Sequence, residues 1–161
     1  MAIRIDVEVA YGQLAIFAGS LPQPFNDWSD RHVSQGFAWR PGSVSFRTLV
    51  EAGRHSVEIK LADHAGLISP EAVRVVEVPF EVPADGAIEI GSISETVSLS
   101  FEAGLYLLRC EFLAPASGTQ HEERVCLTFS RQNLPRFAVV LADAELSIDG
   151  ELLTSAQPAF G

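Results

Sequence analysis

The chain has 161 residues, 47% of them hydrophobic and 20% charged, enough to bury one sizeable core and too apolar for a disordered polymer. Its formal net charge of −10 argues against direct DNA or RNA binding, because basic groups must replace the counterions of the phosphates. No apolar run approaches the ~18 residues of a membrane-spanning helix, and the alternating start reads as a strand rather than a signal peptide, so a cytoplasmic protein is expected.

Alternation with period two dominates the chain. Ile3, Ile5, Val7 and Val9 face one way, and Arg4, Asp6 and Glu8 the other. Leu14-Ala15-Ile16-Phe17 reads as a second strand after a turn at Tyr11-Gly12. A loop held open by Pro22 and Pro24 follows. Asp27 then suits an N-cap, Asp30 the third helical position beside the positive dipole end, and Gly36 the C′ position. This predicts one short helix near Asp27 to Gln35, packed through Trp28 and Val33. Strand patterns recur over residues 44–50, 56–62, 73–82, 87–93, 96–101, 105–113, 124–131 and 136–144. A last hairpin, 145–148 with 151–154, is predicted at Asp149-Gly150, since both residues tolerate positive φ. The expected fold is all-β: an antiparallel β-sandwich of about ten strands with one short helix. It forms a single domain over residues 1–154, with a flexible tail over residues 155–161.

Catalytic and metal motifs are scarce. None of His32, His55, His64 and His121 stands in a metal-binding spacing, and no Cys/His pattern resembles a zinc site. There is no G-x-S-x-G elbow and no phosphate-binding glycine loop. Asp27, Asp30 and Asp63 fall in loops, but the first two serve more simply as helix caps than as calcium ligands. No cofactor or metal is therefore expected. If residues 105–113 and 124–131 pair with both apolar faces inward, Phe112 sides with Val125. Cys110 then points in and Cys126 out, which excludes a disulfide and makes Cys126 the more exposed thiol.

Charge placement carries more information. From Glu77 to Glu123 nine acids face a single base, Arg109, whereas residues 31–60 hold five bases against Glu51 and Glu58. Val76, Val78, Phe80 and Val82 take the core face, which turns Glu77 and Glu81 outward, and Ile88 and Ile90 likewise turn Glu89 outward. A hairpin across Pro83 to Gly86 would set Glu81 against Glu89, a repulsion of up to ~1 kcal/mol that a basic partner would relieve. Alternate residues on one strand face lie ~6.6 Å apart, a spacing similar to that of phosphates along a DNA strand. Glu77, Glu81, Glu89 and Glu95 are accordingly the first candidate partner-binding residues.

Two groups of motifs are similar to the competence protein J family. One is Asp27-Trp28-Ser29-Asp30, Gly36-Phe37 and Gly42-Ser43-Val44-Ser45-Phe46. The other is Val78-Pro79-Phe80, Gly86 to Ile93, Leu99-Ser100-Phe101 and Gly104-Leu105-Tyr106-Leu107. The resemblance spans roughly Leu14 to Phe112, and the chain departs from the pattern after about Gln120. It implies a cytosolic protein that binds and blocks a basic nuclease, and it carries over no catalytic residue. Asp27, Trp28 and Asp30 join the candidate partner-binding set on this ground. Other readings stay open at this point. One is a carbohydrate- or small-ligand-binding sandwich, which needs Trp28, Trp39, Phe25 or Phe37 exposed. The others are an enzyme whose residues meet only in the fold, and an assembly role for sheet edges.

Overall fold

Alternation along the strands decides which side of each sheet is dry, and two dry sides meet to form the core. The computed structural model describes residues 2–114 and 123–159. Within them the chain runs β1 (Ala2–Val9), β2 (Gln13–Ala18), α1 (Asp30–Gln35), β3 (Phe37–Arg40), β4 (Ser43–Arg47), β5 (Gly53–Ala62), β6 (Ala72–Val82), β7 (Ala87–Gly91), β8 (Thr96–Ser100), β9 (Gly104–Leu113), β10 (Glu123–Arg131) and β11 (Ala138–Leu141). A six-stranded sheet takes the order β1-β5-β10-β9-β6-β11, and a five-stranded sheet the order β3-β4-β2-β7-β8. Val57, Ile59, Val76, Val78, Phe80, Leu108, Phe112, Leu127 and Phe129 from the first sheet meet Leu14, Ile16, Phe37, Val44, Phe46, Ile88 and Ile90 from the second. Each such side chain contributes about 1.5–3 kcal/mol when fully buried. The predicted all-β sandwich with one short helix is what forms. Every strand pair is antiparallel except β5 with β10, which run parallel with Val57 beside Val125.

Several local expectations give way. Strands β6 and β7 do not form a hairpin: β6 belongs to the six-stranded sheet and β7 to the five-stranded one. Pro83 to Gly86 is a corner between layers, where Gly86 has φ 74° and a Cβ would collide with the Phe101 carbonyl oxygen. Strand β3, only four residues long, does not stand out from the sequence as a separate run. The helix starts later than expected. Ser29, not Asp27, is the N-cap, its hydroxyl accepting from the His32 amide, while His32 Nδ1 pairs back to the Ser29 amide. Asp30 is thus the first helical residue, and His32 and Gln35, not Val33, are its buried side chains.

The predicted hairpin at Asp149-Gly150 is also absent. Residues 143–159 instead run as a strap over α1 and the loop before it. Leu146 is buried against Gly36, Gln35 exchanges two hydrogen bonds with the Leu153 backbone, and His32 Nε2 meets the Ser155 carbonyl. Asp27 N–H donates to the Gln157 carbonyl and Ala159 N–H to the Phe25 carbonyl. The tail expected to be flexible over 155–161 is instead bonded to α1 and this loop through residue 159. The strap is anchored by Arg74, fully buried, whose guanidinium donates to both carboxylate oxygens of Asp143 (2.7 and 3.0 Å).

The β9–β10 register follows the alternation argument: Val125 opposes Phe112, Leu127 opposes Cys110, and Cys126 opposes Glu111 on the other face. Both cysteines are free. Cys126 is nevertheless only 6% exposed, since the outer face here is covered beside Glu58 and Thr128. Burial pushes both thiols above their usual range.

Candidate protein-docking site

The acidic row along Glu77, Glu81 and Glu89 does not exist as a surface. Glu77, on the outer face of β6, is mostly buried and bonded to Arg109 Nε at 2.7 Å. Arg109 is itself 8% exposed and also donates to the carbonyls of Ala65 and Gly66. Glu81 is exposed and lies opposite Leu105, not Glu89. Glu89 sits on the other sheet, opposite Phe17 and Ser98, and accepts from the Thr96 hydroxyl. The expected repulsion between Glu81 and Glu89 therefore does not arise. Period two assigned the face of each residue correctly but left its neighbour across the sheet open.

Three other candidates do come together, at one end of the sandwich. The tight turn Ala10 to Gln13 is closed by a bridge between its ends and tied by backbone hydrogen bonds to Thr48 and Glu51. The β7–β8 turn lies beside it: Glu95 accepts from the Glu8 amide, Ser94 donates to the Glu8 carbonyl, and Ser92 bonds both backbone groups of Ala10. The loop carrying Asp27 and Trp28 completes the pole. Asp27, Trp28 and Glu95 thus share one surface, while Asp30 is exposed at the start of α1.

Two grooves flank this pole. One, of about 280 Å³, runs between Trp28, Val33 and the 47–51 segment; the other, of about 320 Å³, lies among Phe25, Trp28, Ile93 and Ala159. Tyr11, Gln13 and Trp28 line both. Tyr11, Ile93, Val33 and Val50 are exposed, an apolar set of the kind that marks interaction surfaces. The Trp28 indole N–H is buried and has no acceptor among the described residues, a cost of about 1–3 kcal/mol. Asp27, Glu51 and Glu95 enter no salt bridge among the described residues. Arg47, a cation at the first groove, is committed to the carbonyls of Val33 and Glu145 and to the Glu145 carboxylate. In the sequence Tyr11 stands only as a turn residue, and nothing in the strand pattern marks Ile93 or Val50 as surface residues. Their clustering depends on three connections that meet only in the fold.

The aromatics needed for a sugar platform are largely consumed by packing. Trp39 donates its indole N–H to the Pro79 carbonyl at 2.7 Å and meets the Phe137 ring edge-on. Phe37 is fully buried and Phe25 packs against Phe17.

Residues 6–130 match the family model of competence protein J (ComJ). The chain belongs to the competence protein J family. No curated protein sequence matches it. Its fold is similar to the crystal structure of ComJ from Bacillus subtilis, an inhibitor of the DNA-degrading activity of NucA, with a TM-score of 0.68 and 23% identity. That match covers 80% of this chain and 94% of the other. It is also similar to the structure named crocagin biosynthetic gene J, with a TM-score of 0.56 and 17% identity over 81% of this chain and 98% of that one. At these identities the likeness is one of fold. The four segments that build the pole lie inside the span shared with ComJ relatives, whereas β11 and the strap lie beyond it.

Proposed function

We propose that the chain is a protein inhibitor of a DNA-degrading nuclease: it binds the enzyme stoichiometrically, blocks access to DNA and turns nothing over itself. The observation that carries this reading is membership of the competence protein J family over residues 6–130, joined to a fold shared with ComJ, the inhibitor of NucA. The charge supports it physically. A nuclease holds phosphates in a positive cleft, and a partner with a net charge of −10 is drawn to that cleft by complementary fields. Cytoplasmic placement belongs to the same proposal and is supported by two free cysteines on opposite faces of one sheet.

The test is complex formation with purified NucA followed across salt concentration. A one-to-one complex is expected, with association slowing as salt rises, because screening shortens the reach of charge steering from ~30 Å at 0.01 M to ~8 Å at 0.15 M. Absence of a complex at the lowest salt would count against the reading.

A further inference from the structure

Tyr11 occupies a position that folding alone would give to another residue. It and Gly12 are the two central residues of the turn from Ala10 to Gln13, with φ of 58° and 65°. A two-residue turn with positive φ at both positions is the province of Gly, Asn and Asp. An aromatic residue there is strained, and burial does not offset the strain, since Tyr11 is 68% exposed. Strain that persists without a packing reason is characteristic of functional positions.

The ring stands where the two grooves meet, and Trp28 is the other aromatic that lines both. Around them stand the exposed apolar side chains of Val33, Val50 and Ile93. Binding hot spots are enriched in Tyr and Trp, because each covers a large area with few rotatable bonds. The charged groups of the grooves add a sign. Asp27 and Glu51 line them and enter no salt bridge among the described residues, while Arg47 is already held by Glu145. The surface therefore repels phosphate and favours a cationic protein.

We propose that this pole is the docking surface of the chain, with Tyr11 and Trp28 as its anchors, and that its occupant is the basic face of the nuclease. The inference rests on the inhibitor reading above and locates where inhibition occurs. It sets aside a row of strand-face carboxylates, since Glu77 is bonded to Arg109 and Glu89 lies on the other sheet from Glu81.

Two substitutions test it. Tyr11→Asn removes the ring and installs a residue that suits positive φ, so folding is kept or strengthened. Ile93→Asn changes an exposed turn residue outside the core. For each, the unfolding midpoint is measured in urea and the Kd for purified NucA by titration calorimetry, beside the wild type. Tyr11→Asn is expected to unfold at the same or a higher urea concentration and to raise Kd about 30-fold. Ile93→Asn is expected to raise Kd roughly fivefold at an unchanged midpoint. If the wild type binds and both variants bind as tightly, the docking surface lies elsewhere and the inhibitor reading stands. A lower midpoint for Tyr11→Asn would show that Tyr11 serves folding and would overturn its assignment as an anchor. A wild-type chain that forms no complex overturns the inhibitor reading, and the docking proposal with it.

Discussion

Replacing Glu77 by lysine should damage folding, although the strand pattern makes Glu77 look like a free surface acid. Its carboxylate lies 2.7 Å from Arg109 Nε, and the two side chains are 15% and 10% exposed. Removing one partner of such a pair leaves an uncompensated charge at a cost of about 3–5 kcal/mol. Arg109 keeps two carbonyl acceptors, Ala65 at 3.1 Å and Gly66 at 2.9 Å, but the lysine adds a like charge beside it, so a loss of at least about 3 kcal/mol is expected. For a domain of this size that corresponds to a fall in Tm of roughly 6–12 °C. Urea unfolding and calorimetry of Glu77→Lys measure it, with Glu81→Lys as the control. Glu81 is exposed and enters no salt bridge among the described residues, so its reversal should shift stability by about 0.5 kcal/mol or less. If the two variants are equally stable, the Glu77–Arg109 pair contributes nothing and the account of this face is wrong.

The Arg74–Asp143 anchor should give the strap an acid limit. Burial raises the Asp143 pKa, but hydrogen bonds and the charge of Arg74 outweigh it and hold the carboxyl below its ordinary value. Its stabilisation is then complete above the unfolded value of ~3.9 and lost as pH falls through the lower folded value. Asp143→Asn should lower stability at neutral pH and flatten that part of the acid-denaturation curve; an unchanged profile would remove the anchor from the account. Both thiols should react slowly with a disulfide reagent at pH 7, because burial raises both pKa values, and two should be counted after denaturation. Rapid native labelling of Cys126 would contradict its burial. Deleting residues 157–161 removes the partners of the Asp27 N–H and the Phe25 carbonyl. Amide exchange at Asp27 should accelerate while the core strands keep their protection, and unchanged exchange would mean that the strap does not order the loop.

Alternation made the faces legible and left the partners hidden. It turned Val76, Val78 and Phe80 inward and placed Val125 across from Phe112, because side chains of one register share one face. It could not separate a hairpin from a corner: Pro83 to Gly86 reads as an ordinary turn, yet it carries the chain from one sheet to the other. The parallel pairing of β5 with β10 joins segments about seventy residues apart in sequence, on the order of the separations that local pattern does not encode. Asp149-Gly150 had the chemistry of a hairpin, but its flanks bond to α1 and the preceding loop instead. Within the site, Asp27 and Trp28 were legible from motif resemblance. Tyr11, Val50 and Ile93 were not, because the pole exists only where the β1–β2, β4–β5 and β7–β8 connections converge.

The central claim is inhibition, and the most direct measurement is the rate of DNA cleavage by purified NucA as the chain is titrated in at physiological salt. The rate should fall and reach its floor at about one chain per enzyme, as expected when binding is much tighter than the concentrations used. A cleavage rate that stays constant through a large molar excess of the chain would contradict it.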